Sequence, residues 1–210
     1  MPVIGKNGTM PQWCELKRYE VMRPSIGKPI MLPYVAGRMK LMIAEGSCTI
    51  RFAGQAVSAE QGDQLDVAAD GVNLEVEATE PNTVLIWLAG SWGEEIGNAG
   101  FFALEAADDP GNDGDPADYP RNTKFDRHYH DCDEYYVIYE GSGTVSIGDR
   151  LLPVKAGDCV AIGMGWHHDI PQVKQTIKAI YMETTLQGQK RTGHLWNHTH
   201  GPAVPASDRK

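Results

Sequence analysis

The residues best suited to chemistry are histidines, and all seven lie between positions 128 and 200 of the 210-residue chain. On a β-strand His128 and His130 would point to the same face, because side chains alternate along a strand. Glu134 follows after a gap wide enough for a tight turn, and His168 follows one hairpin later. Three neutral imidazoles and one carboxylate suit a divalent transition metal such as Fe, Mn, Ni, Co or Zn. The spacing predicts one such ion per chain, with coordination positions open for substrate, water or dioxygen.

The segments that carry these ligands resemble the two motifs of the cupin superfamily. HYHDCDE, with Gly141 seven residues after Glu134, is similar to the first motif. GDCVAIGMGWHH is similar to the second motif, with Gly157, Gly165 and His168 in register. The resemblance implies that the four predicted ligands bind the metal. It leaves the reaction open, because cupins include isomerases, lyases, decarboxylases, dioxygenases and storage proteins.

Two positions depart from the cupin pattern. Asn122 stands where the first motif has a glycine, and Gly163 stands where the second has a proline. Both positions shape the backbone, and neither is a ligand. His167 could exchange roles with its neighbour, but the motif register favours His168 as the ligand. His167 is then a structural group or a group that supports the ligands from behind.

The elements that must position these residues are short strands. Apolar residues recur in runs of four to eight, separated by Gly, Pro, Asn and Asp, which is typical of β-structure. Gly148-Asp149 predicts a tight hairpin turn between two such runs. We expect an all-β chain, and the resemblance implies two antiparallel cupin barrels of the double-stranded β-helix, or jelly-roll, type. The predicted strands are LKRYEVM at 16–22, MKLMIAE at 39–45, NLEVEA at 73–78, TVLIWLA at 83–89, EYYVIYE at 134–140, TVSI at 144–147 and TIKAIYMET at 176–184.

An internal repeat supports two copies of one β unit. EGSCTIRF contains Gly46 and EGSGTVSI contains Gly141, so the offset is 141 − 46 = 95. The pair Gly62 and Gly157 has the same offset, 157 − 62 = 95. Two separated motifs that share one offset indicate a duplication.

The repeat and the resemblance together predict the domain organisation. Residues 1–107 would form a degenerate, metal-free copy, and residues 121–210 would form the metal-binding copy with its tail. The acidic, Pro- and Gly-rich stretch 108–120 would be a solvated linker, since it does not match the spacing of a calcium loop. At an offset of 95 the four ligands are replaced by residues with little or no metal affinity, namely Pro33, Val35, Met39 and Asn73.

Strand alternation suggests which side chains surround the ion. Asp126 would share the face of the two motif histidines, and Tyr136 would share the face of Glu134. On a later strand Glu183 would also point inward. Tyr136, Asp126 and Glu183 are therefore the predicted acid/base or substrate-orienting groups. The predicted substrate-binding residues are Tyr181, Trp166, His167, Lys190 and Arg191.

The tail GHLWNHTHGP contains His194, His198 and His200. A second metal site is one interpretation. We favour a tail that folds over the barrel mouth, with Trp196 packed down.

Composition limits the partners. The net charge of −9 argues against nucleic acid and against anionic membranes, because both would repel the chain. The four cysteines are far apart and form no CxxC pair, and no apolar run is long enough for a signal peptide or a membrane span. We therefore expect a cytoplasmic protein with reduced thiols. The cupin resemblance adds a homodimer as its expected assembly.

The leading functional hypothesis is a metal-dependent enzyme that acts on a small polar substrate, such as a sugar, sugar acid or hydroxy acid. The ion would act as a Lewis acid, and a nearby side chain would move a proton. This is isomerase, epimerase or lyase chemistry. One alternative is an oxygen-dependent dioxygenase that uses Fe or Mn at the same site. Another is a non-catalytic protein that binds a small molecule.

Overall fold

Antiparallel strands account for nearly all regular structure in the computed structural model, which describes residues 2–33, 37–68, 73–111 and 113–209. The all-β fold class is therefore confirmed. The helix at Asn197–His200 has four residues, and no helix in the described residues is long and apolar enough to cross a membrane. The strands are Val3–Ile4 (β1), Leu16–Met22 (β2), Ile30–Leu32 (β3), Arg38–Glu45 (β4), Ser47–Phe52 (β5), Gln55–Glu60 (β6), Gln64–Ala68 (β7), Leu74–Ala78 (β8), Val84–Gly90 (β9), Ala99–Leu104 (β10), Glu134–Ile147 (β11), Arg150–Lys155 (β12), Cys159–Ile162 (β13) and His168–Glu183 (β14).

The chain divides into two compact units. Glu15–Trp92 forms the N-terminal unit, and Met1–Cys14 together with Gly93–Lys210 forms the C-terminal unit. Strand pairing explains why the division differs from the predicted one. β1 pairs with β13 and β10 pairs with β14, so both ends of the predicted domain 1–107 belong to the C-terminal unit.

The acidic segment 108–120 packs on the C-terminal unit through its polar groups, where the sequence predicts a solvated linker. Asp115 is buried, and its carboxylate accepts hydrogen bonds from the Asn197 backbone N–H at 2.9 Å and from Nε2 of His167 at 2.7 Å. The Tyr119 hydroxyl donates to Asp169 Oδ1 at 2.7 Å. Composition predicts a segment with little to bury, but these three hydrogen bonds hold it against the C-terminal unit.

The N-terminal unit consists of two four-stranded sheets, with strand orders β2-β9-β4-β7 and β3-β8-β5-β6. Their apolar residues form one core cluster, as the alternating patterns of β5 and β8 predict. The buried members of this cluster are Met22, Leu32, Met39, Leu41, Ile43, Cys48, Ile50, Ala59, Val67, Leu74, Val76, Leu85, Trp87 and Ala89.

The C-terminal unit contains a six-stranded sheet in the order β1-β13-β11-β14-β10, with β12 also paired to β11. β11 and β14 are long, and their pairing has several register shifts, which bend strands and let them curve around a core. Ile147 and Arg150 pair across a two-residue turn, as Gly148-Asp149 predicts. The buried core cluster comprises Tyr136, Ile138, Val145, Ile147, Val154, Val160, Ile162, Ile170, Val173, Ile177 and Ala179.

The repeated glycines have the same backbone role in each unit. The Gly62 N–H donates to the Ile43 carbonyl at 2.9 Å, and the Gly157 N–H donates to the Ile138 carbonyl at 2.8 Å. The two glycines have φ values of 96° and 92°, a left-handed conformation that favours glycine. These glycines and their acceptors are both related by the sequence offset, so the local turn is repeated along with the sequence.

Candidate metal centre

Backbone pairing brings the two ligand-bearing segments together. The His128 N–H donates to the His168 carbonyl at 3.1 Å, and the His168 N–H donates to the His128 carbonyl at 2.9 Å. Glu134 begins β11, and His168 begins β14 opposite Ile147. The curvature of these two strands thus places residues from distant stretches of the sequence at one point.

The four predicted ligands form one buried cluster. One ligand atom from each of His128, His130, Glu134 and His168 lies within 4.8 Å of all the others. Oε2 of Glu134 is 2.8 Å from Nε2 of His168 and 3.4 Å from Nε2 of His130. Their residue types and their proximity mean that these four residues could hold a metal ion.

Backbone carbonyls fix the orientation of the three imidazoles, because each Nδ1 lies within hydrogen-bond distance of one carbonyl oxygen. This assigns the proton to Nδ1 and leaves the Nε2 lone pair facing the cluster, which is the form that binds metals. The three contacts are His128 with Asp126 at 3.0 Å, His130 with Gly193 at 3.0 Å and His168 with Trp166 at 2.9 Å.

The ligand atoms have no hydrogen-bond partner among the described residues. These buried atoms are the Nε2 atoms of His128, His130 and His168, together with Oε2 of Glu134. His168 lies close to the carboxylate, but with its proton on Nδ1 its Nε2 has nothing to donate. A buried polar atom without a partner costs about 1–3 kcal/mol. Because a cation would satisfy all four atoms at once, the residues fit a metal ion.

Burial and neighbouring charges set the protonation of the ligands. Burial and the nearby His168 lower the pKa of His128 to about 3. Burial alone would raise the pKa of Glu134, but His130 and His168 hold it well below its usual range. Burial lowers the pKa of His130, and the Glu134 charge outweighs this and raises it overall. A neutral His128 beside an ionised Glu134 is ready to bind a cation.

Two further buried polar groups lie beside the ligands. In the pairing of β11 with β14, Tyr136 is opposite Tyr181 and Glu134 is opposite Glu183. The Tyr136 hydroxyl and Oε2 of Glu183 have no hydrogen-bond partner among the described residues. Oε2 of Glu183 is 3.8 Å from Nδ1 of His130. Both groups were predicted as acid/base candidates, and both are next to the cluster.

Burial and the carboxylate of Glu134 keep these two groups protonated over a wider pH range. Burial, followed by the charge of Glu134, raises the pKa of Tyr136 well above its usual range. Burial also raises the pKa of Glu183, and Glu134 adds to this although His130 opposes it. Each group can therefore carry a proton close to the predicted ligands.

Aromatic rings form an apolar wall beside this cluster. The ring of Phe102 lies 5.4 Å from that of Tyr136, and the ring of Phe125 lies 5.9 Å from that of His128. Sequence reasoning missed both phenylalanines. Neither belongs to a ligand motif, and Phe102 comes from β10, which the sequence assigned to the other domain.

Asp126 lies behind His128 instead of facing the ligand atoms. Its carboxylate accepts hydrogen bonds from Nδ1 of His194 at 3.0 Å and from Nε1 of Trp196 at 2.8 Å. Its carbonyl accepts from Nδ1 of His128. Burial opposes ionisation, yet hydrogen bonds from His128 and His194 lower the pKa of Asp126. Strand alternation does not apply to Asp126, because it precedes the bridge at His128 and lies outside any strand.

The tail crosses the ligand-bearing segment, and its histidines separate. His194 stacks on His128 with ring centroids 3.6 Å apart and planes 5° apart. His198 lies 3.4 Å from Asp115, and His200 accepts a hydrogen bond from the backbone N–H of Trp196. Among the described residues these three histidines do not converge on a cation site of their own. The two further groups with metal-binding residue types, Asp126–His128–His194 and His130–Cys132–Glu183, each reuse one histidine of the main cluster.

Three of the predicted substrate-binding residues have partners within the C-terminal unit. His167 contacts buried Asp115, which lies outside both motifs and which sequence reasoning missed. Nε1 of Trp166 donates to the Ala206 carbonyl at 3.2 Å. The Tyr181 hydroxyl, opposite Tyr136 in the sheet, accepts from Asn98 at 3.1 Å.

The two basic candidates are paired with acidic residues. Lys190 forms an ion pair with Glu95. Arg191 forms a bidentate pair with Asp131, with both N–O distances at 2.9 Å. Each cation already has a carboxylate partner, so a substrate anion would have to compete for it.

The N-terminal unit lacks these ligands at the corresponding positions. Met39, the counterpart of Glu134, is 1% exposed and packs in the apolar core. Pro33 and Asn73 are not ligands in any described cluster, and Val35 lies outside the described residues. In the described part of Glu15–Trp92 no group of histidine, cysteine or carboxylate side chains could hold a metal.

Solved structures with the same fold are cupin-fold proteins. An IolB-like protein from Salmonella typhimurium is 13% identical and matches with a TM-score of 0.60 over 94% of each chain. An oxalate decarboxylase variant from Bacillus subtilis is 9% identical and matches with a TM-score of 0.55 over 85% of this chain and 70% of its own. At these identities the likeness concerns the fold alone.

No family model matches the sequence. A full-length relative does: the uncharacterized protein y4oW of Sinorhizobium fredii is 44% identical over 211 residues, which span 100% of this chain and 96% of the relative. The chain has a cupin fold with a buried histidine–glutamate cluster that could hold a metal, and it belongs to the same family as y4oW.

Proposed function

We propose that this protein is a metal-dependent enzyme that acts on a small polar substrate, such as a sugar, sugar acid or hydroxy acid, by isomerase, epimerase or lyase chemistry. One observation carries the proposal. Six buried polar atoms that have no hydrogen-bond partner in the described part of the chain lie close together, and four of them belong to His128, His130, Glu134 and His168. The other two belong to Tyr136 and Glu183. Such groups are costly in a core, and they accumulate where proteins bind ligands and catalyse reactions.

The residues of the candidate site would have separate roles in this function. His128, His130, Glu134 and His168 would hold one divalent transition metal, which supplies Lewis acidity to a carbonyl or hydroxyl pair. Tyr136 and Glu183 would hold and move a proton at their hydroxyl and carboxyl oxygens. Phe102 and Phe125 would exclude water from one side. Asp126 would position His128, since its carbonyl accepts the Nδ1 proton.

The fold comparison supports the substrate class. The oxalate decarboxylase is, by its name, an enzyme that acts on a small dicarboxylate, and it shares the fold of this chain. We extend the proposal to the chain's organisation: two cupin barrels, of which the N-terminal copy binds no metal. The buried Met39 at the position of Glu134 supports this arrangement. A homodimer in the cytoplasm stays a prediction.

Metal analysis combined with solvent-deuterium exchange tests the proposal. Protein purified without added metal should contain one transition-metal ion per chain, and His128→Ala should contain almost none. Incubated in D2O with a panel of sugars, sugar acids and hydroxy acids, the wild type should place deuterium next to a carbonyl or carboxylate, as detected by NMR.

The variants separate metal binding from proton transfer. Tyr136→Phe and Glu183→Gln should keep the metal but slow the exchange by about 10²–10⁴-fold, the usual range for losing an acid/base group. His198→Ala, which changes an exposed tail histidine, should keep both metal and exchange. A metal-free wild type, or exchange that survives both Tyr136→Phe and Glu183→Gln, would overturn the proposal.

A second candidate is an oxygen-dependent dioxygenase with Fe or Mn at the same ligands. The aromatic wall of Phe102, Phe125 and Tyr136 favours it, because apolar surroundings suit dioxygen chemistry. Oxygen consumption by the iron-loaded protein with a panel substrate, without deuterium exchange, would decide for it. Saturable binding without exchange or oxygen uptake would instead indicate a non-catalytic binding protein.

A further inference from the structure

His194 is an exposed tail histidine that stacks on the predicted ligand His128. Its side chain is 42% exposed, whereas those of His128 and His168 are fully buried. Nδ1 of His194 lies 3.0 Å from both carboxylate oxygens of Asp126. The described residues offer no hydrogen-bond partner to its Nε2. The imidazole of His194 is thus fixed through Nδ1, and its Nε2 has no partner among the described residues.

Stacking places the ring of His194 against the predicted ligands. The rings of His194 and His128 are nearly parallel and almost directly superposed, and the Nδ1 atoms of both lie within 3.4 Å of Oδ2 of Asp126. The ring centroid of His194 also lies 5.6 Å from that of His130. The imidazole of His194 therefore borders two of the four predicted ligands.

The backbone on both sides of His194 is fixed to the segment that bears the ligands. The preceding residue, Gly193, accepts the Nδ1 hydrogen bond of His130. The following residue, Leu195, forms a two-way backbone bridge with Tyr129, with both N–O distances at 3.0 Å. Contacts to residues 129 and 130 thus hold His194 from either side, and its position does not depend on a loose tail.

We propose that His194 is a positioning residue that accepts a hydrogen bond from a hydroxyl group of the ligand bound at the metal centre. The carboxylate of Asp126 accepts a hydrogen bond from Nδ1–H of His194, so in the neutral imidazole Nε2 presents a lone pair that accepts one. The nearby cations Lys190 and Arg191 are paired with acidic residues. An acceptor nitrogen beside the candidate metal centre favours ligands with a hydroxyl donor next to the chelating oxygen, such as α-hydroxy acids. The inference rests on the proposed function and specifies its substrate class.

Binding to the Co²⁺-loaded full-length protein tests this inference without any need for turnover. Glycolate and methoxyacetate are matched probes, since both have a carboxylate and a neighbouring oxygen, but only glycolate has a hydroxyl proton. Each is titrated while the visible absorption of Co²⁺ is recorded. The variant His194→Phe keeps a flat ring against His128 and removes the acceptor nitrogen. His198→Phe is the control, because it makes the same substitution at an exposed tail histidine outside the candidate site.

The wild type and His198→Phe should bind glycolate more tightly than methoxyacetate by about the same factor. In His194→Phe the cobalt content should be unchanged, and this preference should fall by about 5–10-fold, as expected for one lost hydrogen bond. An unchanged preference with full cobalt content would overturn the role of His194 and leave the proposed function standing. Loss of cobalt from His194→Phe would also overturn the proposed role of His194, because its imidazole would then contribute to metal binding. A wild type that binds no cobalt would refute the proposed function.

Discussion

The two units of this chain contain the same turn but differ in what they bury beside it. In the N-terminal unit Met39 packs among apolar side chains, while its counterpart Glu134 lies among three histidines. The glycine turn and the strands around it are formed in both units. Apolar alternation and turn chemistry are therefore sufficient for the fold. The buried polar groups are an addition that destabilises the core unless something binds them.

Exchanging the residue types of Met39 and Glu134 should have the largest effect on stability and metal content. Met39→Glu would place an unpaired carboxylate in an apolar core and should lower the free energy of unfolding by about 3–5 kcal/mol. Glu134→Met removes a buried charge, so the fold should survive while the metal is lost. Urea denaturation and metal analysis of both variants provide the measurements.

Met39→Leu is the control for the first substitution, because it preserves an apolar side chain of similar volume and should cost less than about 1.5 kcal/mol. Equal stability of Met39→Glu and the wild type would show that the N-terminal core tolerates charge. In that case burial could not explain why only one unit carries the ligands.

Metal removal should change hydrogen exchange differently in the two units of one molecule. A ligand present at 1,000 times its Kd stabilises the folded state by about 4 kcal/mol. Chelation should therefore increase hydrogen exchange in β11 and β14 and leave β4 and β9 of the N-terminal unit almost unchanged. Hydrogen-exchange mass spectrometry before and after chelation measures this, and re-addition of metal is the control. Equal loss of protection in both units would contradict a metal site confined to one.

Gly46 and Gly141, the other pair of repeated glycines, should differ in their tolerance of alanine. Gly46 and Gly141 have φ values of 71° and 84°, so alanine at either position should cost about 1–2 kcal/mol. A Cβ at Gly141 would lie 1.9 Å from the Thr176 carbonyl oxygen, while one at Gly46 would meet the Thr83 hydroxyl at 2.6 Å. The backbone clash should add about 1–3 kcal/mol to Gly141→Ala. Thermal unfolding of both variants checks this order, and equal effects would contradict it.

The smallest expected difference concerns Asp63 and Asp158, which follow the turn glycines Gly62 and Gly157. Oδ2 of Asp158 accepts the Lys155 N–H at 3.0 Å and is buried, and Oδ2 of Asp63 accepts the Glu60 N–H at 2.9 Å and is exposed. Asp158→Ala should cost about 1–2 kcal/mol, because it leaves a partly buried N–H without a partner. Asp63→Ala should cost about 0.5 kcal/mol, since water replaces the carboxylate. Urea denaturation distinguishes these values, and a larger effect at Asp63 would refute the role of burial.

Much of the fold follows from local sequence patterns. The predicted strand 16–22 coincides with β2, and 39–45 and 83–89 fall within one residue of β4 and β9. Short apolar runs and the turn residues between them are local signals, so they can be read directly from the sequence. The two predicted strands 134–140 and 144–147 are one continuous strand, β11, because Gly141 bends the strand without ending it.

The long-range part could not be predicted in the same way. Pairing of Met39 with Ala89 and of Glu134 with Glu183 gives an offset of 183 − 89 = 94, so the repeat shifts by one residue before the last strand. The local sequence pattern gives no signal for this shift. The ligand set could be predicted because the cupin motif fixes its spacing. The partners Asp115, Phe102 and Gly193 could not, since each comes from a segment without a motif.

The carbonyl that orients His130 belongs to Gly193, 63 residues further along the chain. A ribosome that has just released the first motif has not yet made that carbonyl, so during synthesis His130 is free to adopt either tautomer. The fully oriented cluster therefore requires the tail to be made and to have folded back onto the first motif.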